Sequence, residues 1–584
     1  MNNNLLLKKI IDLFQSNNLN EALILCDQNY NDTSEHIVKN LKGAIYFKQK
    51  NFYLAKKNFL KSIELNKNFI DPFKNLYSLF ITTKDYENLI IIAKKILELD
   101  KKNSSSHFKL AYALEMNGNL TQSINFYNSA ISLDFNDKKM IYNNLGNIYL
   151  TLDKTDKSIE FFSLALEKDQ NNKIIFNNLV NAQIKTRNID KIEKLLNQAK
   201  VLDENYNEYL HNKAQLLILK KQFEKAIIIL KDLIKNYKDS KYSLLLAKIY
   251  FTTGDKVKGN NLINETVISF PKDLSVINFK GMRDLSDGNF ENGWKFYESR
   301  RTALNKIYPE IPEWNGETLI DKKILVYNEQ GIGDCIQFSK YLFPLKKICK
   351  NIDFLVDKKI CEMFSKDIIG INICTKNEIT LSAYDFKIPL ASLLKFFYKD
   401  INKFNESLIY IDPVKSNNYK KEIDTSKINI GLVWSGSFYG PKEPYSSIPL
   451  SKMNNILNLN ANFYCLQNEI RFDDKSTFEK SNIINYGHLS FGDIPSFAHN
   501  LDLIISTDTS FIHMSGSIKK ETWGLIPIDP DWRWGKFYDL DPYFNSKIYK
   551  QKNFDNWDET LNTLQYDLKK KIEFFNSKTK MTNN

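Results

Sequence analysis

Two short stretches carry residue types whose spacing could do chemistry. The first is Glu329-Gln-Gly-Ile-Gly-Asp334, two carboxylates and an amide around the glycines Gly331 and Gly333, with Gln337 one turn further on. The apolar run Lys323 to Asn328 before it reads as a buried strand. Cys335 to Leu342 after it has helix-type spacing of Ile336, Phe338, Tyr341 and Leu342. Strand, glycine turn and helix form the opening unit of nucleotide-handling α/β domains, where N–H groups at a helix start face a phosphate or a reacting group. Asp334 is the candidate general base, or else a helix N-cap holding the turn. Glu329 and Gln330 would bind a substrate or brace the loop. The second stretch is Ser506-Thr-Asp-Thr-Ser-Phe-Ile-His-Met-Ser-Gly516. A strand ending near Ile505 would leave Thr507, Asp508, Thr509 and Ser510 with hydroxyls and free N–H groups at a helix start, which suits a diphosphate without a metal. The alternative is an ordinary Asp/Ser/Thr helix cap. His513 lies on that helix, to touch phosphate or simply to pack.

The elements that must position these groups alternate strand and helix. Ile352–Val356, a helix from Lys358 to Ser365, Ile371–Cys374 and Tyr384–Pro389 make a first open α/β lobe. Asp412-Pro413 and the polar run Lys415 to Lys427 read as a linker. A second lobe restarts with Ile428 to Gly436, whose strand ends at Trp434, Ser435 and Gly436, and continues through Asn462 to Gln467. In Asp529-Pro-Asp-Trp-Arg-Trp534, Trp532 and Trp534 are expected to line the cleft, and Arg533 to pair a phosphate bidentately. Asn556 to Phe575 reads as a closing helix. Ligands of such folds lie outside the carboxyl ends of the strands, so the cleft between lobes is the expected site.

The first half is an array. Gly43, Tyr77, Ala111, Gly146, Val180, Ala214, Ala247 and Gly281 follow one another at gaps of 34, 34, 35, 34, 34, 33 and 34 residues. Twelve residues after each come Ala55, Leu89, Ser123, Ser158, Ile192, Ala226, Gly259 and Gly293, mostly small again. A 34-residue helix–turn–helix period is the signature of tetratricopeptide repeats, and Asn143 to Tyr149 and Ser243 to Tyr250 resemble that family's first helix closely. Leu5 to Ser34 is expected to be an irregular leading unit with Leu19 to Ala22 as its inter-helix turn. A solenoid of this kind offers a concave face to a peptide or a partner protein, or serves as a spacer.

Composition bounds the rest. At 584 residues the chain exceeds a single core, and 43% apolar with 26% charged residues fits a folded globular protein. The net charge of +12 has no basic block interleaved with aromatics, so a nucleic-acid partner is not expected. No apolar run approaches a membrane span, the amino terminus lacks signal-peptide order, and six cysteines show no CxxC or Cys/His clustering. The expectation is therefore a cytoplasmic chain with reduced thiols and no metal site.

The junction makes a resemblance specific. Gly293, Trp294, Tyr297, Glu298 and Arg300 spell G-W-x-x-Y-E-x-R, one residue shorter than a G-x-W-x-x-Y-E-x-R tail. Pro312, Trp314, Gly316 and Glu317 fit a P-x-W-x-G-E linker, and Glu329 to Phe338 fit E-Q-G-x-G-D-x-I-Q-F. Over essentially its whole length the chain resembles repeat proteins fused to a glycosyltransferase domain of the heptosyltransferase (family 9) type. The resemblance implies a tetratricopeptide α-solenoid over residues 1–301, a linker at 302–322, and a GT-B-type pair of Rossmann-like lobes at 323–414 and 428–578. It implies inverting, metal-independent transfer of a sugar from a nucleotide-sugar, a co-substrate rather than a cofactor, to a protein or glycan acceptor. Asp334 matches the family's proposed base. Asp508, Thr509, His513 and Gly516 match its D-T-x-x-x-H-x-x-G donor signature, and Trp434, Ser435, Gly436, Gln467, Thr507, Ser510 and Arg533 are expected to bind the donor with them. Trp294 and Trp314 would anchor solenoid to lobe. Two departures bear on the donor. Ser446-Ser447 stands where an Arg-Ser pair is common, with Lys442 near in sequence, and Lys519-Lys520-Glu521 stands where Gly-Lys-Pro is common. They leave open a non-catalytic scaffold that retains the fold.

Overall fold

The structure, a computed structural model, describes residues 3–27, 34–301, 307–365, 370–399, 406–437, 446–540, 543 and 545–582. The chain folds as two compact units, Met1–Gln222 and Phe223–Asn584.

Among the described residues, every element of the first unit is a helix. A leading pair, Asn3–Gln15 and Leu19–Cys26, precedes the pairs Glu35–Lys48 with Phe52–Leu65, Asp71–Thr83 with Tyr86–Leu99, and Ser104–Met116 with Leu120–Ser132. Lys138–Thr151 with Thr155–Lys168, Lys173–Lys185 with Ile189–Leu202, and the helix Asn207–Leu219 complete it. The leading unit is thus itself a helical pair. Its turn is residues 16–18, with Asn17 at φ 66°, and Leu19 to Ala22, expected as the turn, are the first turn of the second helix. The twelve-residue offset has a direct cause: a second helix rests on the first at that spacing. Ser123 Oγ donates to the carbonyl of Ala111, and Ser158 Oγ to that of Gly146, each at 2.8 Å and buried. Asn and Asp stop and start the pairs. Side chains of Asn51, Asp85, Asn103, Asp137, Asn172 and Asn188 accept N–H groups from the first turns of the helices they precede, each cap stabilising by about 1 kcal/mol.

The second unit opens with the helix Phe223–Asn236 and two further pairs, Ser240–Thr252 with Lys256–Ser269 and Leu274–Asp287 with Phe290–Tyr297. Two parallel sheets follow. The first has the order β3-β2-β1-β4, formed by β1 (Lys323–Tyr327), β2 (Asn351–Leu355), β3 (Ile371–Cys374) and β4 (Phe386–Pro389). The second has the order β7-β6-β5-β8-β9-β10. It is formed by β5 (Asn429–Val433), β6 (Asn462–Cys465), β7 (Ile484–Asn485), β8 (Leu503–Thr507), β9 (Thr522–Ile526) and β10 (Ser546–Lys550). In each sheet the chain begins in the interior, runs outward to one side and returns to the other, the doubly wound order. The switch points fall between β1 and β4 and between β5 and β8. One core joins Leu285, Trp294 and Tyr297 of the last repeat to Val326, Phe338 and Phe354 of the first lobe and to Tyr464, Phe497 and Trp532 of the second. A separate core on the far face of the second sheet packs Leu432, Trp434 and Leu503 against Leu564 and Leu568 of the closing helix, Asp558–Thr582.

Three expected elements differ. Cys335 to Leu342 is not one helix: Ile332–Ser339 ends before a turn at Lys340 and Tyr341, and Leu342–Lys346 starts anew. The helix from Lys358 stops at Cys361. The expected linker contains a helix, Pro413–Glu422, capped by the Asp412 carboxylate, which accepts the N–H groups of Val414 (2.8 Å) and Lys415 (3.1 Å). Lys415 pairs with Asp493 at 2.6 Å and Asn500 donates to the Ser416 carbonyl at 2.9 Å, fastening it to the second lobe. Ser416 alone of its residues is buried, so it carries no apolar stripe to announce a helix.

Candidate functional site

β1 ends at Tyr327, and the chain turns through 328–331 into the helix Ile332–Ser339. Asp334 sits at its third position and accepts the Gly331 N–H at 3.1 Å, so the carboxylate does close the turn as a cap. Its other oxygen is ion-paired with Arg533 of the second lobe. Burial pushes the Asp334 carboxyl above the usual carboxylate range; Arg533 pulls it back and Asp531 adds to the rise. Gln337, on the same helix, is buried with its Oε1 unpaired among the described residues.

The second stretch stands opposite. β8 runs to Thr507, two residues beyond the expected end, and Thr509 caps the helix Ser510–Ser517 by accepting the Phe511 N–H at 3.3 Å. Ser506 and Thr509 hydroxyls bond each other at 3.0 Å, Asp508 accepts the indole N–H of Trp534 at 2.8 Å, and the Thr507 hydroxyl is buried without a partner among the described residues. The two helices pack directly together at Gly333. A Cβ there would stand 2.9 Å from His513 Cδ2 and 3.4 Å from Ser510 Cα. The first motif's second glycine is therefore a close-approach residue between lobes. Gly516 plays a similar part, since a Cβ would meet the Tyr543 ring at 2.4 Å. That ring's hydroxyl bonds His513 Nδ1 at 2.7 Å, and the imidazole stacks on Trp534 with centroids 5.6 Å apart. Burial, reinforced by the Arg533 charge, drives the His513 pKa down to about 3, so the ring is neutral near pH 7.

Trp434, Ser435 and Gly436 lie at the end of β5, whose Val433 pairs with Ser506 of β8. Gln467 latches them: its Oε1 accepts the N–H groups of Trp434 (3.0 Å) and Ser435 (3.2 Å), and its Nε2 donates to Ser435 Oγ at 3.1 Å. Ser447, of the Ser-Ser pair, accepts the Gly436 N–H at 3.4 Å. Trp434 is fully buried, its indole N–H on Asp474 at 2.9 Å, which makes it a core residue. Lys442 and Tyr445 lie outside the described residues.

Arg533 and its neighbours depart from expectation. The guanidinium is held by Asp334, Asp531 and Gln330 Oε1 (3.0 Å), which hold it in the charged form despite burial. It lies over Phe338 and Trp532, 5.2 and 4.9 Å from their centroids. Trp532 and Trp534, expected to line a cleft, are each 2% exposed. Trp532 packs edge-on against Trp294 (5.5 Å), Tyr297 (5.6 Å) and Phe537 (5.0 Å). Trp294 also meets Tyr398 at 6.1 Å, so it anchors the last repeat to both lobes, while Trp314 packs on Phe396 at 4.5 Å.

Residues the site reading passed over come from that last repeat. Arg300 donates to Glu329 Oε1 (3.2 Å), Ser392 Oγ (2.9 Å) and Glu298 Oε1 (2.6 Å). Arg301 pairs with Glu298 and Glu313. Burial pushes Glu298 up, but the two arginines outweigh it and hold the carboxyl below its usual range. Glu329 goes the other way: burial raises it, Arg300 compensates in part, and its Oε2 has no partner among the described residues. Arg300 closes the Gly293–Arg300 tail that the sequence singles out, but the sequence does not show its partners in the first lobe.

The helical pairs of the N-terminal region are tetratricopeptide repeats. Family models described as "Tetratricopeptide repeat" match residues 38–69, 104–137 and 141–172, and a further one matches 208–240. Protein FlbA of Caulobacter vibrioides is 26% identical over 125 residues, 20% of this chain and 21% of that protein, so the chain spans about a fifth of that relative. Among solved structures, Pseudomonas aeruginosa pilF is 17% identical with a TM-score of 0.32, covering 37% of this chain and 99% of that one. YrrB, titled a TPR protein with an unusual peptide-binding site, is 18% identical with a TM-score of 0.27, covering 32% of this chain and 97% of that one. The chain thus joins a tetratricopeptide region to a parallel-sheet α/β region. Among the described residues no helix is long and apolar enough to cross a membrane. All six cysteines are buried free thiols.

Proposed function

We propose that the α/β region is a GT-B-type, heptosyltransferase-like glycosyltransferase that moves a sugar, with inversion and without a metal, from a nucleotide-sugar to a protein or glycan acceptor. The repeats would recruit that acceptor or a partner protein. One observation carries the reading: the Gly331–Asp334 turn and the Thr507–Ser510 helix start, which follow switch-point strands of two parallel sheets, meet face to face. Asp334 would take the acceptor hydroxyl's proton as the anomeric carbon is attacked, and a carboxyl raised by burial is the stronger base. Thr507, Thr509 and the helix Ser510–Ser517 would receive the diphosphate, whose charge the helix start favours. Arg533, paired with Asp334, would exchange that carboxylate for a phosphate. His513, neutral and bonded to Tyr543, would contribute packing or a neutral hydrogen bond.

The Asp334–Arg533 pair favours a second reading, a non-catalytic scaffold in which each charge neutralises the other. A panel of nucleotide-sugars, with EDTA present, separates the two by thermal shift and calorimetry. A ligand that binds only the folded state raises the melting temperature by mass action. One sugar nucleotide giving a clear rise supports the transferase; no binding at millimolar concentration gives the scaffold the lead.

A further inference from the structure

We infer that the last helical repeat is a working part of the site: Tyr297 and Arg300 are positioning residues that hold the Glu329–Gln330 turn and, through it, set Arg533 against Asp334. The functional weight of this rests on the reading of Asp334 as the base; the wiring itself does not. Gln330 Nε2 donates to the Tyr297 hydroxyl at 2.6 Å, and its Oε1 accepts from Arg533 Nη2 at 3.0 Å. Both ends of the amide are used: Arg533, which only donates, takes the oxygen, and the Tyr297 hydroxyl accepts from the NH2 group and so holds that oxygen against Arg533. The same Arg533 nitrogen reaches Asp334. Arg300 fixes the neighbouring residue, binding Glu329 Oε1 at 3.2 Å while its guanidinium lies 4.3 Å from the Tyr297 ring centroid. Tyr297 is 4% exposed, and its ring is fixed by Trp294 and Trp532. Phenylalanine would fill that space equally well, so packing alone gives no account of the hydroxyl. Burial keeps the phenol un-ionised, an acceptor for the Gln330 amide at every working pH.

The test reads Asp334 directly in the full-length chain. A water-soluble carbodiimide with glycine ethyl ester labels carboxyl groups, and peptide mass spectrometry follows Asp334 from acid to neutral pH in the wild type, Tyr297→Phe and Arg300→Lys. Asp353, 7% exposed and accepting the Tyr384 hydroxyl at 2.6 Å, is the internal control. Loss of one hydrogen bond from the chain should raise Asp334 labelling about threefold to tenfold in Tyr297→Phe. The midpoint should move to higher pH as the cation loosens, with Asp353 unchanged. Arg300→Lys, which keeps the charge but loses the planar fork, should give a smaller rise. Unchanged Asp334 labelling in both variants, or an equal rise at Asp353, would overturn the inference. No donor is needed, so a chain that transfers no sugar would leave this result standing.

Discussion

Gly333→Ala is the sharpest single perturbation of the lobe contact, because its sign can be worked out. The residue lies in the first turn of the helix Ile332–Ser339, where alanine would ordinarily gain up to about 1 kcal/mol over glycine. Here the new methyl would stand 2.9 Å from His513 Cδ2 and 3.4 Å from backbone at Ser510. The imidazole cannot easily retreat, being bonded to Tyr543 at 2.7 Å and stacked on Trp534. Overpacking of this kind costs about 1–3 kcal/mol, so after the propensity gain the net effect is a loss of up to about 2 kcal/mol. Gly331 supplies the control two residues away. Its φ is −65°, and an added Cβ would meet only Asp334 Oδ2 at 3.4 Å, so Gly331→Ala should stay within about 0.5 kcal/mol of wild type. Thermal unfolding of the full chain, followed by tryptophan fluorescence, should show a fall of roughly 1–3 °C for Gly333→Ala and little for Gly331→Ala. Equal melting temperatures for Gly333→Ala and wild type would refute the claim that the two lobes meet at this glycine.

Three further outcomes follow from the same contacts. Trp532→Ala removes the ring shared by Trp294, Tyr297 and Phe537 and should cost about 3–5 kcal/mol in denaturant unfolding. Ser158→Ala, which deletes a buried 2.8 Å bond to the Gly146 carbonyl, should cost about 1 kcal/mol and be read by far-UV circular dichroism melts. His513, with a folded pKa near 3 against an unfolded value near 6.5, binds its proton more readily when unfolded. Its contribution is therefore complete above about pH 6.5 and is lost as pH falls toward 3, so stability in that window should fall less steeply in His513→Gln than in wild type.

The array was legible because its spacing records contacts: residues twelve apart are those that touch, as Ser158 and Gly146 do. Strands β1 to β6 and β8 were legible as short apolar runs, as in the fully buried β5 and β8, whereas β9 was not picked out and the exposed β7 and partly exposed β10 carry no such run. Local polarity misled the reading where tertiary partners decide. Pro413–Glu422 is a helix held by Asp412, Lys415 and Asn500, with no apolar face to reveal it. Leu19 to Ala22 looked like a turn, yet the left-handed residue is Asn17. At the candidate site both motifs were visible, but not what each faces. Arg533 meets Asp334, and Trp532 and Trp534 are sealed rather than lining a cleft, because the last repeat and both lobes close over them. Tyr297 and Arg300 stood in a recognised tail, but nothing in the sequence said that they reach Gln330 and Glu329.

The measurement that bears most directly on the central claim is turnover of the Asp334→Asn chain with the sugar nucleotide that the binding panel selects. Asparagine keeps the size of the side chain and can still accept the Gly331 N–H, but it cannot take a proton from an acceptor. Donor affinity should stay within a few-fold of wild type while transfer falls about a hundredfold to ten-thousandfold. Wild-type-like transfer by Asp334→Asn would exclude Asp334 as the base.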